Sequence, residues 1–382
     1  MTLTFVTNFV NHHQLPLADE FYKHLGNDYH YIATEELPDW LIKGGYDPAL
    51  KRPYIIRSYQ SSEKLVNARR LIDESDVVIL GSSPLEWSVE RKKANKLTFH
   101  FSERWLKKYS YHSFTPKALW RIYANFFRFR NSNLYLLCAS AFAAKDVHFF
   151  GCFPNRCYKW GYMTAVDENY KLPLAKAFQG KVTLMWCSRF LAWKHPELPV
   201  KLASLLKKEG YQFELDMYGS GEELDIINAL ITELGVDDVV NLCGNLPNPE
   251  ILSEMRRHDI FLFTSDRNEG WGAVLNEAMS NGCSVVASDM IGSAPYLINN
   301  GKNGLLFNSI DLESLYSKVK LLIDDDNLRR IISENAIKTM QEIWNPRVAA
   351  ERFLHLSERL LIGLDTVYTD GPCSKAFPIN NI

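Results

Sequence analysis

The residues best suited to chemistry lie in one stretch, Thr264–Ser288 (TSDRNEGWGAVLNEAMSNGCSVVAS), where a Gly-rich turn joins an apolar run to a short helical pattern with a glutamate on each side. Helix N-termini carry free backbone N–H groups and a partial positive charge, so Gly270, Trp271 and Gly272 let the backbone come close to a phosphate. Glu269 and Glu277 are eight residues apart, about 12 Å along a helix, similar to the reach from a sugar ring across a diphosphate to a ribose. Taken singly, either glutamate reads as a helix residue favoured by the dipole or facing water. Together with the glycines, the Gly282 stop and the following run Val285–Ala287, they read as a grip on a polar ligand.

A second constellation follows the apolar run Val182–Cys187, which ends in Ser188–Arg189 with Lys194 five residues on. An Arg fork and a compact Lys charge beside a departing diphosphate stabilise negative charge that develops only as a bond to it breaks. Gly219 and Asn245 stand in turns after Phe213–Tyr218 and Val239–Leu242 and are expected to wall the same pocket, because open α/β sheets bind ligands at the C-terminal ends of their strands.

The elements needed to position these groups are legible as short β-rich runs alternating with helical periodicity, the signature of βαβ units and parallel sheets. In the first half, Leu3–Val6, Tyr54–Ile56, Val77–Leu80 and Leu97–Phe101 read as strands, and Leu15–Leu25 and Ser62–Asp73 as helices. After a mixed polar stretch at Asp167–Gly180 a second βα series begins at Lys181. It runs strand Val182–Cys187, helix Pro199–Lys208, strand Phe213–Tyr218, helix Glu222–Leu234, strand Val239–Leu242, helix Glu250–Arg257, strand Ile260–Thr264, helix Ala273–Ser280 and strand Ser284–Ser288. A helical run Val348–Leu361 and a Gly/Pro-containing tail, ordered only where it docks back, close the chain.

The stretch E-G-W-G-x4-E-A-M-S-N-G-C-S-V-V-A-S-D resembles the Glu-x7-Glu signature of family 4 (group 1) of the retaining GT-B glycosyltransferases. The likeness runs on through Gly292 and Gly301–Phe307. It implies an α/β GT-B fold, two Rossmann-like doubly wound parallel-sheet domains facing a cleft: residues 1–170 for the acceptor, 171–345 for a nucleotide-diphosphate sugar, and 346–382 as a helix and tail crossing back to the first domain. It further implies that Glu269 contacts donor-sugar hydroxyls, that Gly270, Trp271 and Gly272 offer N–H groups to it, that Glu277 holds the ribose, and that Arg189 and Lys194 meet the diphosphate. His100 stands where the family has a strand-end histidine facing the donor sugar. Thr264 replaces the family's usual proline, with an extra residue before Glu269. The family's Gly-Gly turn after the first strand is absent here, and His13, Gln14 and Arg104 are the acceptor-side candidates.

No metal is expected. His12 and His13 are adjacent, which points their side chains apart, and Asp237–Asp238 and Asp324–Asp326 fall at helix ends without converging. Seven cysteines without a CxxC pair read as reduced thiols of a cytoplasmic protein. The N-terminal MTLTFVTNFV reads as a strand rather than a leader, and the longest run free of charge, Leu134–Ala144, is too short to cross a bilayer.

With 382 residues, the chain should form two domains or more, and 46% hydrophobic content supplies real cores. A net charge of −2 argues against a nucleic-acid binder. That average hides a basic segment, residues 91–130, within a Val89–Arg130 stretch holding eleven Lys/Arg against two acidic residues. Its cations alternate with Phe99, Phe101, Trp105, Tyr109, Tyr111, Phe114, Trp120, Tyr123, Phe126 and Phe127. Basic and aromatic residues together suit an anionic membrane surface, and a solvated helix pair with its aromatics in the core is the plainer alternative.

The expectation is therefore a retaining, metal-independent hexosyltransferase (EC 2.4) with no obligatory cofactor. It would move a sugar from a nucleotide-diphosphate sugar to a glycan or lipid-linked acceptor in bacterial surface polysaccharide or lipopolysaccharide assembly. Its expected place is the cytoplasm, peripheral on the inner face of the membrane. A GT-B nucleotide-sugar epimerase would need its own acid/base set. A non-catalytic nucleotide-sugar-binding protein could dispense with Arg189 and Lys194.

Overall fold

Runs of four to six β-branched and aromatic residues become strands whose side chains are buried throughout, as in LTFVT, VVIL and SVVAS. Burial along the whole run is what a parallel sheet covered on both faces demands. The computed structural model describes residues 1–39, 42, 47, 50–107, 114–173 and 181–379. Two compact units emerge: unit 1 takes Met1–Ala165 and the segment from Trp344, and unit 2 takes Val166–Ile343.

Among the described residues, unit 1 holds a parallel seven-stranded sheet of order β3-β2-β1-β4-β5-β6-β7. Its strands are β1 (Leu3–Thr7), β2 (Tyr29–Ala33), β3 (Ile55–Arg57), β4 (Val77–Leu80), β5 (Thr98–Ser102), β6 (Leu134–Cys138) and β7 (Cys157–Lys159). Unit 2 holds a parallel six-stranded sheet of order β10-β9-β8-β11-β12-β13. This one is built from β8 (Val182–Cys187), β9 (Phe213–Tyr218), β10 (Val240–Gly244), β11 (Ile260–Phe263), β12 (Ser284–Ser288) and β13 (Leu305–Phe307). Each sheet winds outward in both directions from a central pair, β1/β4 in unit 1 and β8/β11 in unit 2. Such a reversal leaves a crevice at the C-terminal strand ends, and polar loops gather there.

Several elements escape the sequence reading: β2, β6, β7, β13 and the helices Leu312–Asp324 and Asp326–Glu342. The uncharged run Leu134–Ala144 is β6 followed by the start of the helix Ala143–Phe149. In unit 2 the helix Glu197–Lys208 lays Leu198, Leu202 and Leu206 into a core shared with Leu184, Trp186, Leu215 and Met217. Each such side chain contributes about 1.5–3 kcal/mol by leaving water.

The last helix of the chain, Pro346–Leu361, belongs to unit 1. Its Phe353 ring packs at 5.5 Å on Phe21, 4.8 Å on Phe99 and 5.6 Å on Trp160. The tail beyond it docks antiparallel on β7 through Tyr158 and Lys375, with Cys373 donating to the Lys159 carbonyl and Ala376 to that of Cys157. Cys373 and Ser374 are buried there.

Candidate functional site

In unit 2 the two loops flanking the sheet reversal carry the candidate groups. The loop after β8 runs Ser188–Pro196, and the loop after β11 runs Thr264–Gly272. Thr264 joins them: its hydroxyl accepts from Trp186 Nε1 at 2.9 Å and donates to the Lys194 carbonyl at 2.7 Å. The Asp266 N–H donates to the Trp193 carbonyl at 3.0 Å. Between these ties Lys194 and Glu269, both buried, form an ion pair, and Ser265 donates to the same Glu269 oxygen at 3.0 Å. Lys194 Nζ also lies 4.2 Å from the Trp193 ring centroid. Thus the structure brings Lys194 and Glu269 into direct contact, where the spacing alone suggested two separate roles.

Arg189 is exposed on the same loop, and its guanidinium makes no hydrogen bond or ion pair with the described residues. Its loop leans on the turn after β9. Gly219 adopts φ +135°, and a Cβ built there would fall 1.9 Å from the Ser188 carbonyl oxygen. Asn245 is exposed and donates to Ser220 Oγ at 2.8 Å, closing the rim between β9 and β10.

Gly270, Trp271 and Gly272 lead into the helix Ala273–Ser280, with Gly272 at φ +85° and the Phe263 ring 2.6 Å from where its Cβ would be. Trp271 is buried and donates to Asn276 Oδ1 at 2.9 Å, so its indole anchors the turn. Glu277 accepts from Asn248 Nδ2 at 3.0 Å, and burial pushes its carboxyl up to about 7. The Cys187 thiol at the end of β8 is pushed up to about 12 by burial and by Glu277, while Lys194 pulls it down, so one strand end lies in the field of both groups.

Unit 1 has a cavity of its own. A cavity of about 610 Å³ opens at the β1/β4 reversal. His100 and Gln14 reach it from β5 and the turn after β1, Arg104 and Trp105 from the loop after β5, and Arg121 from the helix Pro116–Asn125. His100 is buried, its Nδ1 has no hydrogen-bond partner, and burial together with Lys92 and Arg121 holds it near 3, so the ring is neutral. Gln14 accepts from Tyr31 at 2.7 Å, and Arg104 pairs with Asp146 at 3.6 Å.

His13 is not among the lining residues. Contrary to the expectation from adjacent positions, its ring lies 3.8 Å from that of His12, because both sit in a turn rather than on a strand. Burial and His12 hold His13 near 3. Asp325 caps the helix that follows it, and Asp238 pairs with Lys207, so the acidic runs serve helix ends. Among the described residues no group of three His, Cys, Asp or Glu side chains is arranged to hold a metal ion. Tyr109 and Tyr111 of the basic stretch, and 174–180 of the inter-domain stretch, lie outside the described residues.

Ser265, Asn248 and His195 were not singled out from the sequence. The available signal was position: each follows a strand of the βα series, where ligands collect.

Residues 175–339, which hold Arg189, Lys194 and both glutamates, match the family model of glycosyl transferases group 1. The matched residues lie within unit 2. Among curated relatives of this family, the poly(glycerol-phosphate) alpha-glucosyltransferase of Bacillus subtilis is 33% identical over 159 residues, 42% of this chain and 23% of that protein. The poly(ribitol-phosphate) alpha-N-acetylglucosaminyltransferase of Staphylococcus aureus is 25% identical over 181 residues, 47% of this chain and 36% of that protein. The matches thus span a quarter to a third of these relatives' lengths. Over nearly the whole chain the fold is GT-B. The Anabaena HepE protein solved with UDP superposes with a TM-score of 0.69 at 16% identity, covering 93% of this chain and 99% of that one. WaaG, a glycosyltransferase of lipopolysaccharide biosynthesis, gives 0.59 at 16% identity, covering 91% and 98%.

Proposed function

We propose that this chain is a retaining glycosyltransferase that takes a sugar from a nucleotide-diphosphate sugar bound to unit 2. The observation that carries this is the buried Lys194–Glu269 pair beside the Gly270–Gly272 turn at a helix N-terminus, inside the residues that match group 1. In this reading Glu269 grips donor-sugar hydroxyls, Glu277 the ribose, and Arg189 and Lys194 the diphosphate. Glu269 is already tied to Lys194 and Ser265, which suits a grip better than a nucleophile. We therefore favour front-face departure: the bond from C1 to the phosphate oxygen breaks as the acceptor oxygen bonds C1 on the same face. The acceptor's proton passes to the leaving phosphate. Lys194 and Arg189 neutralise the phosphate charge in the role a metal takes elsewhere.

A panel of UDP-, GDP-, ADP- and TDP-sugars, assayed for binding and slow hydrolysis in EDTA, tests this. UDP-sugars come first because HepE was solved with UDP. Binding and turnover of one donor in EDTA is the expected result. A donor that binds but is never turned over, even with membrane extract supplying acceptors, sinks the transferase reading, and no binding at all sinks the site.

Glu277 adds a pH signature. Ribose hydroxyls donate to the carboxylate, so the ligand lowers a carboxyl now near 7, and binding must release a proton. Affinity is expected to rise from pH 5.5 to 7, by at most tenfold per unit, and to level off above 7. Calorimetry at pH 6.5 in buffers of different ionisation enthalpy reads the proton directly, and Glu277→Gln abolishes it. In the free protein the sign is opposite for stability: a carboxyl raised from 4.5 to about 7 makes the fold less stable as pH climbs through that interval.

For the acceptor we propose the unit 1 cavity, and for its delivery the helix Pro116–Asn125. None of this helix's residues is buried. Ala118, Arg121 and Ile122 face the cavity, while Leu119 (43% exposed), Trp120 (67%) and Tyr123 (48%) face out, and Lys117 on the same helix is exposed as well. No helix among the described residues is long and apolar enough to cross a membrane. An interfacial helix fits a glycan or lipid-linked acceptor at an anionic bilayer. Co-sedimentation with phosphatidylglycerol vesicles should exceed that with neutral ones. Trp120→Ser should weaken it about tenfold, and Lys117→Gln about fivefold, for roughly 1 kcal/mol per cation. Equal binding to both vesicle types would refute this placement.

A further inference from the structure

We propose that His195 is a positioning residue: its imidazole, clamped between Glu197 and Asp266, fixes the loop after β8 against the loop after β11 and so sets where Lys194 meets Glu269. The inference rests on the proposed role of that Lys–Glu pair at the donor.

His195 stands in the left-handed region at φ 50° and ψ 54°, immediately before Pro196. For a residue with a Cβ this costs on the order of 1 kcal/mol, and glycine would hold the turn without that cost. The side chain supplies what glycine lacks. Its Nδ1 lies 2.9 Å from Glu197 Oε1 on the following helix, and its Nε2 lies 3.5 Å from Asp266 Oδ2 on the other loop. Carboxylates only accept, so Nδ1 donates to Glu197; Nε2 makes no hydrogen bond and faces Asp266 at ion-pair distance, an approach that is attractive when the ring is doubly protonated. Glu197 and Asp266 accordingly raise the imidazole above its usual 6.5, against the opposing effect of burial.

The remaining charges leave this arrangement intact. Lys194 Nζ is turned to Glu269, and Lys201, one turn along the helix, acts on Glu197. Asn268 holds Asp266 at both oxygens: its N–H and side-chain amide donate to Oδ1 at 2.7 and 2.9 Å, and the amide also donates to Oδ2, the oxygen facing His195, at 3.1 Å.

The clamp completes a three-point attachment. The Trp193 carbonyl accepts from the Asp266 N–H and the Lys194 carbonyl from Thr264, and the ring of the next residue adds a 3.5 Å ion-pair approach to Asp266 rather than a third hydrogen bond. A lysine gripped on both sides has little freedom to swing off the position that the leaving phosphate must occupy. Small displacements there are costly, since misplacement by about 1 Å can cost a hundredfold in rate.

The test compares the wild type with His195→Asn and His195→Gly over pH 6–9. Both residues tolerate left-handed backbone, so unfolding midpoints should stay within a few degrees. Expected are a kcat about tenfold lower in both variants with donor KM within twofold, and loss of the alkaline decline that the wild type shows as the imidazole deprotonates. In parallel, NMR titration of the His195 ring should give a pKa above 6.5 that falls toward it in Glu197→Gln and Asp266→Asn.

Wild-type kcat at every pH in His195→Gly would show that His195 merely forms the turn, and overturns the proposal. A ring titrating at 6.5 in the wild type overturns it as well. If the wild type turns over no nucleotide sugar, the transferase reading fails, and the NMR titration still decides whether the clamp exists.

Discussion

Lys194→Met is expected to destabilise unit 2 by about 3–5 kcal/mol and to reduce turnover about a thousandfold. Two separate causes act. The methionine fills the volume but leaves Glu269, whose side chain is 11% exposed, without its cation, with only Ser265 still donating to it. A buried carboxylate stripped of its partner carries its full desolvation cost, which exceeds what the intact pair gains relative to an apolar replacement. The rate effect comes from losing a fixed positive charge where negative charge develops. Thermal unfolding and hydrolysis of the donor separate the two. In Lys194→Met/Glu269→Gln stability should largely return, since no charge is then buried alone, while turnover stays low. A single variant as stable as the wild type would show that the pair is hydrated rather than buried.

Gly219→Ala should cost about 3–5 kcal/mol, lowering the midpoint of unit 2 by about 10 °C. The added methyl would overlap the Ser188 carbonyl, 1.9 Å away, and φ +135° is a region essentially closed to residues with a Cβ. Flexible side-chain ends could move aside, but here the obstacle is backbone, and it is held: Ser188 donates to the Tyr218 carbonyl and Phe190 to that of Ser220. Relief therefore pushes the loop after β8 outward and takes Arg189 with it. Donor affinity should fall along with stability, whereas Gly210→Ala, at a glycine with open space around its Cβ, should affect neither the loop nor the donor. Differential scanning calorimetry and donor titration of both variants check the pair. A Gly219→Ala protein melting with the wild type would mean that the loop yields cheaply.

How much of this the sequence discloses follows from what each element must bury. The strands of unit 2 are apolar over most of their length, and β8, β9 and β12 match their sequence-read limits residue for residue. The match is close because a strand covered on both faces leaves little choice of residue. Strand β2 (YHYIA) is interrupted by His30 and carries two tyrosines, so it lacks the apolar signal, although Tyr29 and Tyr31 are buried. The helices Leu312–Asp324 and Asp326–Glu342 are separated by a single residue, and charges crowd their exposed sides, which masks the periodicity. At the site, Gly270–Gly272 and Glu277 are visible because a turn and a helix fix their spacing locally. Contacts that close over long separations are not: Lys194 meets Glu269 across seventy-five residues, and Asn248 meets Glu277 across twenty-nine. Residue type does not reveal such pairings, since Lys, Glu and Asn are ordinary on any helix surface.

Unit 1 is assembled from both ends of the chain, with Phe353 seated on Phe21, Phe99 and Trp160 and the tail paired to β7. During synthesis this imposes an order. When Ala165 has left the ribosome, the first sheet still lacks the helix that covers its aromatic face, and it waits while unit 2 is translated. At about 5–20 residues per second, the interval lasts roughly ten to forty seconds. Unit 2 has its whole sequence in hand first and can close its core while the earlier-made half remains uncovered. The half made first is thus the last to be finished.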